Sequence, residues 1–349
     1  MDIRLSICIP TYNRAPLLRE LLESISAPDL SIIQVAICDN ASTDNTPETV
    51  EGYRTWFPIF DYHRNEKNLG PDRNYLAAAN MARGEYCLLM GSDDAFMPQS
   101  IAKILDYLKD KPDLLVYNRI DASFNMKPIR IMRAASFPGE PAKLEIRCEQ
   151  DIVSYLDHCN SIGAAYSYLS AVVFRVDRWR AEKAPKILIG SAYPHTGIFL
   201  AIMRTGCSLT YTDQPLVLWR GGNDSFLSGD MSKRILLDLE GYDLLARTVF
   251  PDYPAAAAAL RRLVVREHAE WQMWRFETFL PRKLRMSQEG WEIVNRRLNQ
   301  LGTPGKRYRL FDKITPIWLL PSSIRLLLLA CYFWAKNIIV EHCNLISRA

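Results

Sequence analysis

Four short apolar runs in the first ninety residues constrain the fold more than any other feature of the sequence. They lie at residues 5–10, 32–38, 59–63 and 86–90. The stretches between them place apolar residues at helical spacing, as in residues 15–26, where the apolar positions are 17, 18, 21, 22 and 25. Strands that alternate with helices predict βαβ units and a mostly parallel central sheet flanked by helices.

Polar clusters follow three of the predicted strands, at residues 11–14, 39–44 and 91–94. The carboxyl ends of parallel strands meet at one edge of a sheet, so these clusters are expected to converge on one ligand. Two adjacent carboxylates, Asp93 and Asp94, suit a hard divalent cation, and such a cation suits a diphosphate. The alternative is that both are turn residues and helix caps.

Composition limits the class of protein. The chain has 349 residues, more than one average domain, and a net charge of only +4, which does not indicate nucleic acid as a partner. Its eight cysteines form no CxxC pair, which favours reduced thiols in the cytoplasm. The apolar residues 5–10 are too few for a secretory signal, so a cytoplasmic location is expected.

Five motifs occur in an order that resembles family 2 glycosyltransferases, over about residues 3–120. They are Ile9-Pro10-Thr11-Tyr12-Asn13-Arg14, Asp39-Asn40-Ala41-Ser42-Thr43-Asp44, Asn68-Leu69-Gly70 with Arg73-Asn74, Gly84-Glu85-Tyr86, and Ser92-Asp93-Asp94. The resemblance implies the Rossmann-like GT-A fold, a nucleoside-diphosphate-sugar donor, a Mg²⁺ or Mn²⁺ cofactor and, usually, an inverting transfer.

The resemblance also implies roles for individual residues. Thr11 and Arg14 would lie beside the nucleotide, and Asp39 would contact the base. Arg73 would approach the base or the phosphates. Asp93 would lie near the ribose or the sugar, and Asp94, helped by Asp93, would bind the metal. The predicted nucleotide-sugar site is completed by Pro10, Tyr12, Asn40, Asn68, Gly70, Ser92 and Arg220.

The residues also allow less specific explanations. Asn13 and Asn68 are common turn formers, Asp44 suits a cap, and Arg73 on a helix suits a solvated face. Two positions depart from the family pattern. Gly91 replaces an acid that often begins the aspartate motif, and Asn40 replaces a frequent second aspartate, which changes the hydrogen bonds available to a base.

The general base of the predicted site departs from the family pattern. An inverting transferase needs a group that takes the proton of the acceptor hydroxyl. Where the family often has a Glu-Asp pair, this chain has Pro194 and His195. His195 can accept a proton near neutral pH, so we expect it to be the base. The alternatives are that it caps the helix at residues 196–204 or binds a phosphate.

A predicted strand pair, at 209–211 and 215–219, leads to Arg220-Gly221-Gly222. In the resembled family this segment often closes over the diphosphate, which makes Arg220 and Asn223 candidate donor contacts. The two glycines would permit such a movement. The alternative is a plain loop.

The C-terminal third has a helical pattern and a basic balance. Residues 275–349 contain thirteen Arg or Lys and five Asp or Glu. Within them, residues 305–340 form a basic amphipathic segment rich in tryptophan and leucine, which suits attachment to the anionic inner face of the cytoplasmic membrane. A buried core helix and a membrane-spanning helix are the alternatives.

The predicted organisation is a GT-A catalytic domain at 1–228, with a nucleotide-sugar half at 1–120 and an acceptor half at 121–228. A helical region follows at 229–349. The predicted function is transfer of a hexose-type sugar from a nucleotide sugar to a hydroxyl of a lipid-linked saccharide. The predicted process is surface polysaccharide or glycolipid synthesis. A nucleotidyltransferase and a non-catalytic nucleotide-sugar or membrane-binding module are the alternatives.

Overall fold

The computed structural model describes residues 2–224, 226, 231–268 and 286–302. The chain divides into two units. One comprises Met1–Phe226 and Leu237–Glu267, and the other comprises Leu227–Leu236 and His268–Ala349. The first unit holds all of the described strands and the predicted motifs. In the second unit, Ser287 is the N-cap of a helix at Gln288–Leu301. The Ser287 side chain accepts a hydrogen bond from the Gly290 amide.

Ten strands form one sheet in the first unit. They are β1 (Leu5–Thr11), β2 (Ile33–Asp39), β3 (Ile59–Arg64), β4 (Tyr86–Leu89), β5 (Ala95–Phe96), β6 (Leu114–Ala122), β7 (Pro128–Met132), β8 (Ala142–Ile146), β9 (Val172–Arg175) and β10 (Cys207–Arg220). Their order is β3-β2-β1-β4-β9-β6-β10-β5, with β7 beside β6 and β8 beside β10.

The α/β fold class predicted from the sequence is confirmed, and the structure shows where the parallel pairing stops. Strands β3, β2, β1 and β4 are parallel neighbours. Strand β9 then runs antiparallel to both β4 and β6, so β6 points in the same direction as β4. The carboxyl ends of β1, β2, β4 and β6 therefore lie at one edge of the sheet.

Helices lie between the strands and after the last strand, and the sequence predicts all of them except those at residues 149–158 and 176–181. The ten helices of the described residues are α1 (Ala15–Ser24), α2 (Thr46–Tyr53), α3 (Pro71–Asn80), α4 (Ser100–Tyr107), α5 (Glu149–His158), α6 (Val176–Ala181), α7 (Pro194–Arg204), α8 (Met231–Val249), α9 (Pro254–Glu267) and α10 (Gln288–Leu301). Helix α1 illustrates the cause. It buries Leu18, Leu21 and Leu22 on one face, and the carboxylate of Asp44 accepts a hydrogen bond from the Ala15 amide at 3.0 Å.

The core lies between the sheet and its helices. Strands β1, β2 and β4 are buried along their whole length, because helices cover both faces of a parallel sheet. Leu18 and Leu22 of α1 and Ile101 and Ile104 of α4 belong to the same apolar cluster as these strands. Side chains of this size each contribute about 1.5–3 kcal/mol through burial, which holds the strand ends in fixed positions.

Strand β10 differs from the sequence-based expectation. Two strands were predicted at 209–211 and 215–219, but the structure has one continuous strand of 14 residues. Its pairing with β6 shifts register between Thr212 and Val217, around Pro215. Proline cannot donate a ladder hydrogen bond, so the pairing is irregular there while the strand continues. The polar residues that interrupt the apolar pattern, at positions 212–214, lie at this irregularity.

Within the residues that the structure describes, no helix is long and apolar enough to cross a membrane. The predicted membrane-associating segment, residues 305–340, lies outside the described residues.

Candidate active site

The polar clusters predicted from the sequence meet at the carboxyl edge of the sheet. Thr11, the last residue of β1, is the register partner of Asp39, the last residue of β2. Beyond the end of β4, Asp93 forms an ion pair with Arg14, which follows β1, at 2.7 Å. Three separate stretches of sequence thus place polar groups at one edge of the sheet, where open α/β sheets bind ligands.

Asp39 is fully buried and held by three partners. One carboxylate oxygen accepts a hydrogen bond from the Ser42 amide at 2.9 Å, and the other accepts one from the Tyr62 hydroxyl at 2.9 Å. The Arg64 guanidinium lies 3.5 Å from the second oxygen. Beside it, the buried Thr11 hydroxyl has no hydrogen-bond partner among the described residues. A carboxylate with a positioned charge and an unused neighbouring hydroxyl can recognise the polar edge of a base.

Asn40 organises the loop before α3. Its amide nitrogen donates to Asn68 Oδ1 at 2.9 Å and to the Gly70 carbonyl at 3.2 Å. Its oxygen accepts from the Leu69 amide at 2.8 Å and from Asn65 Nδ2 at 3.1 Å. Because both side-chain atoms are used, Asn40 fixes the loop that carries the Asn68-Leu69-Gly70 motif.

Asp93 is the carboxylate at the site that is most exposed to a ligand, with 15% of its side chain accessible. One oxygen pairs with Arg14, and the other accepts a hydrogen bond from Asn223 Nδ2 at 2.7 Å. Arg14 also contacts the Asn223 carbonyl at 3.4 Å. The segment after β10 therefore reaches the aspartate motif. The predicted contact of Asn223 with the donor stays a prediction.

Asp94 is buried and turned into the protein. One carboxylate oxygen accepts hydrogen bonds from the Tyr168 hydroxyl at 2.8 Å and the Ser170 hydroxyl at 2.6 Å. The other accepts from the Arg220 amide at 3.2 Å. Burial and, secondly, the Asp93 carboxylate raise the pKa of Asp94 to about 7, although these three donors favour its charged form.

Gly91 explains the position of Asp94. A β-carbon at residue 91 would lie 2.8 Å from an Asp94 carboxylate oxygen and 3.2 Å from the Ser170 hydroxyl. The acid that often begins this motif would push Asp94 away from both partners. The absence of a side chain at 91 is therefore what allows Asp94 to turn inward.

Asp93 and Asp94 alone are too few to hold a metal ion, and a diphosphate would have to supply further ligands. In the described part of the chain, no three His, Cys, Asp or Glu side chains come together in a group that could hold a metal on their own. Magnesium sites in nucleotide enzymes need only one or two carboxylates, because phosphate oxygens and water complete the shell. Asp93 would meet that requirement once Arg14 and Asn223 leave its oxygens. Asp94 would have to turn away from Tyr168 and Ser170.

Arg220 is a structural link between three segments. It is 2% exposed, and its guanidinium donates to the Asp93 carbonyl at 2.7 Å and pairs with Glu20 of α1 at 2.6 Å. It also donates to the Phe124 carbonyl. The Arg220 guanidinium is therefore bound by three partners within the protein. The predicted contact of Arg220 with the donor stays a prediction.

His195 lies in the first turn of α7 and is 1% exposed. Its ring packs edge-on against Tyr75, with centroids 5.7 Å apart. Burial lowers the pKa of His195 to about 4, so the imidazole is neutral at neutral pH. Burial raises the pKa of the Tyr75 hydroxyl, and the Arg14 guanidinium counteracts part of this rise. The general-base role of His195 stays a prediction.

The remaining predicted residues lie at or near the same edge of the sheet. Pro10 is buried in β1, Ser92 is buried after β4, and Gly70 has a φ of 82° before α3. Tyr12 is 41% exposed, and Arg73 and Asn68 are also exposed. Tyr12 and Arg73 are thus available to a ligand, whereas Asn68 accepts hydrogen bonds from Asn40 and Gly70.

Several supporting residues were not identified from the sequence. Tyr62 and Arg64 follow the pattern of polar residues at a strand end, since they lie at the end of β3, and this signal could have identified them. Tyr168 and Ser170 precede β9, about 75 residues from Asp94 in the chain, and only the tertiary structure brings them to it.

Comparison with known proteins identifies the class of protein that this fold and site define. The family model described as "glycosyl transferase family 2" matches residues 6–168 of this chain. An abequosyltransferase, RfbV, from Salmonella typhimurium is 37% identical over 268 residues, which are 75% of this chain and 80% of the relative. The chain belongs to glycosyl transferase family 2 and is a glycosyltransferase.

Solved structures show the same fold. A fragment of TarS from Staphylococcus aureus, residues 1–349 of a poly(ribitol-phosphate) β-N-acetylglucosaminyltransferase crystallised with UDP, matches with a TM-score of 0.59 at 16% identity, over 85% of this chain and 80% of the fragment. The mannosyltransferase PcManGT from Pyrobaculum calidifontis, in complex with GDP-Man and Mn²⁺, matches with a TM-score of 0.50 at 15% identity, over 89% and 83% of the two chains. The GT-A fold predicted from the sequence is confirmed.

Proposed function

We propose that this glycosyltransferase moves a sugar from a nucleoside-diphosphate sugar to a hydroxyl of a lipid-linked saccharide during surface polysaccharide synthesis. The observation that carries the proposal is that Asp39, Arg14 and Asp93 all lie at the carboxyl edge of the sheet. Asp39 can bind a base, Arg14 can bind a diphosphate, and Asp93 can bind a sugar. The names of RfbV and TarS support a cell-surface saccharide as the product.

The donor binds with its base near Asp39 and its diphosphate near Arg14. The buried carboxylate of Asp39 accepts a hydrogen bond from the base, and Thr11 supplies the unused hydroxyl beside it. Arg14 turns from Asp93 to the phosphates, where its guanidinium offsets the charge of the departing nucleoside diphosphate. Asp93 is then released to the ribose, the sugar or a cation.

A divalent cation, Mg²⁺ or Mn²⁺, would be held by Asp93, with Asp94 as the second predicted ligand. When bound, it supplies electrostatic stabilisation of the leaving diphosphate. The presence of Mn²⁺ in the PcManGT complex supports this choice of cofactor. Tyr168 and Ser170 orient Asp94 and determine how easily it turns toward the cation.

The transfer inverts the configuration of the sugar, as is usual in the family, and a base takes the proton of the acceptor hydroxyl. His195 is the candidate that the sequence provides. Its burial beneath Tyr75 means that this role requires movement of Tyr75 or of the first turn of α7. A His195→Gln enzyme with near-normal turnover would remove the assignment.

The proposal is tested by measuring nucleoside diphosphate release from a panel of nucleotide sugars in the presence of Mn²⁺ and a lipid extract. Asp93→Asn is expected to lower kcat/KM for the preferred donor by about 100-fold, because the developing charge loses a stabilising group. Asp106→Asn, an exposed carboxylate on α4, is the matched control. Equal turnover by Asp93→Asn and the control would contradict the proposal.

A further inference from the structure

A hairpin with exposed apolar residues projects from the same sheet edge as the site. It comprises residues 122–133, which connect β6 to β7 and extend just beyond β7, and we call it the basic hairpin. Three of its large apolar side chains are exposed: Phe124 by 51%, Ile129 by 68% and Ile131 by 57%. Apolar groups clustered in this way on a surface indicate a binding partner.

The two faces of β7 differ in chemistry. Arg130 points to the face of the buried Asp121, with which it pairs at 2.9 Å. Side chains alternate along a strand, so Ile129 and Ile131 stand on the opposite face. Their exposure is therefore a property of the folded hairpin and does not come from a frayed end.

The basic residues of the hairpin accompany this apolar face. Residues 122–133 contain Lys127, Arg130 and Arg133 and no acidic residue. Lys127 and Arg133 are exposed, and among the described residues no carboxylate pairs with either of them. Apolar side chains bordered by unpaired cations match an anionic lipid surface. A second copy of this chain would instead bring the same cations together.

The base of the basic hairpin is connected to the active site. The Gly221 amide donates to the Ala122 carbonyl at 2.9 Å, and Arg220 donates both to the Phe124 carbonyl and to the Asp93 carbonyl at 2.7 Å. Because β6 is parallel to β4, its carboxyl end points to the same side as the aspartate motif.

We infer that the basic hairpin docks on the anionic membrane surface and holds the site at the height of a lipid-linked acceptor. The inference rests on the proposed lipid-linked acceptor. The basic hairpin belongs to the first unit, Met1–Phe226 and Leu237–Glu267, which we call the catalytic unit. This membrane contact is therefore separate from the one predicted for residues 305–340. Ile129, Ile131 and Phe124 enter the interface between headgroups and acyl chains, and Lys127 and Arg133 contact anionic headgroups.

The test uses the full chain and vesicles of phosphatidylcholine, with or without phosphatidylglycerol. Hydrogen exchange of residues 124–133 is measured with and without vesicles, and vesicle affinity is measured by flotation. We expect slower exchange in the hairpin with phosphatidylglycerol vesicles. We expect about tenfold weaker binding by Ile129→Ser/Ile131→Ser, since buried apolar area determines interfacial affinity. Lys127→Gln/Arg133→Gln should lose the preference for anionic vesicles.

Ile187→Ser is the matched control, because Ile187 is 64% exposed and lies elsewhere on the catalytic unit. Its vesicle affinity should equal that of the wild type. Unchanged hairpin exchange on vesicle addition would overturn the inference, even if the chain binds vesicles through another segment. Protection of the hairpin that rises with protein concentration in the absence of vesicles would also overturn it, in favour of self-association.

Nucleoside diphosphate binding is measured on the same samples to separate the two proposals. Intact nucleotide binding together with unprotected hairpin residues would contradict the docking surface alone. Absence of nucleotide binding together with a protected hairpin would contradict the proposed function and leave the surface in place.

Discussion

At the scale of single residues, some side chains near the site use all of their polar atoms in hydrogen bonds. Replacing such a side chain by one of similar size but different chemistry breaks one of these bonds. Asn40 is the clearest example, because the Leu69 amide and the Gly70 carbonyl determine which of its side-chain atoms faces each partner. The family often has an aspartate here. In this chain the amide is required by the loop, and the sequence alone could not reveal that requirement.

Asn40→Asp is predicted to destabilise the protein by about 2 kcal/mol, because a carboxylate oxygen would face the acceptors of Asn68 and Gly70. Asn68→Asp is the matched control, since Asn68 uses only its oxygen in the hydrogen bonds of this loop. Urea unfolding of both variants measures the difference. Equal midpoints for Asn40→Asp and the wild type would contradict the hydrogen-bond assignment.

His195 provides a prediction about pH. Its pKa is lowered from 6.5 to about 4 by burial, so the unfolded chain binds a proton more readily than the folded chain. The stability contributed by neutral His195 is present above pH 6.5 and is lost as the pH falls toward 4, by up to about 3 kcal/mol. His195→Gln should lose this part of the pH dependence in urea unfolding at a series of pH values. An unchanged slope between pH 6.5 and pH 4 would show that His195 titrates normally.

At the scale of secondary-structure elements, the end of β10 holds the site together. Arg220 connects the aspartate motif, the basic hairpin and α1, and the Arg220 amide also donates to Asp94. The sequence suggested a lid over the diphosphate at this point, on the basis of the two glycines that follow. In the structure, Gly221 is required for close packing, because a β-carbon there would lie 2.7 Å from the Ala122 carbonyl.

Arg220→Met is predicted to lower the free energy of unfolding by about 3 kcal/mol, because buried acceptors lose a charged donor. Arg130→Met is the matched control: its side chain is half exposed and has one ion pair, which contributes at most about 1 kcal/mol. Guanidinium chloride unfolding compares the two. A loss for Arg220→Met no greater than that for Arg130→Met would contradict the linking role.

At the scale of the whole molecule, the regular alternation of elements could be predicted from the sequence, and the second half of the sheet could not. Apart from the two-residue strand β5, the strands and helices up to residue 108 follow from apolar spacing and from polar residues at strand ends. The antiparallel insertion of β9 between β4 and β6 depends on contacts between segments about 60–90 residues apart, for which local spacing contains no signal. The same reason explains why Tyr168 and Ser170 were missed.

The predicted site residues illustrate the same division. Thr11, Asp39 and Asp93 converge because each follows a parallel strand, and this can be predicted from topology. The inward turn of Asp94, the occupied guanidinium of Arg220 and the burial of His195 depend on neighbours that are remote in sequence. Their surroundings could therefore be established only from the fold.

We propose that the carboxyl edge of this sheet binds a nucleoside diphosphate together with a divalent cation. The most direct measurement is the thermal shift produced by a panel of nucleoside diphosphates, with and without Mn²⁺, on the wild type, Asp39→Asn and Asp93→Asn. One nucleotide should raise Tm in a Mn²⁺-dependent manner, with about 2.7 kcal/mol of stabilisation at a concentration of 100 Kd. The shift should shrink in Asp39→Asn and lose its Mn²⁺ dependence in Asp93→Asn. No shift with any nucleotide, or equal shifts in all three proteins, would contradict the account.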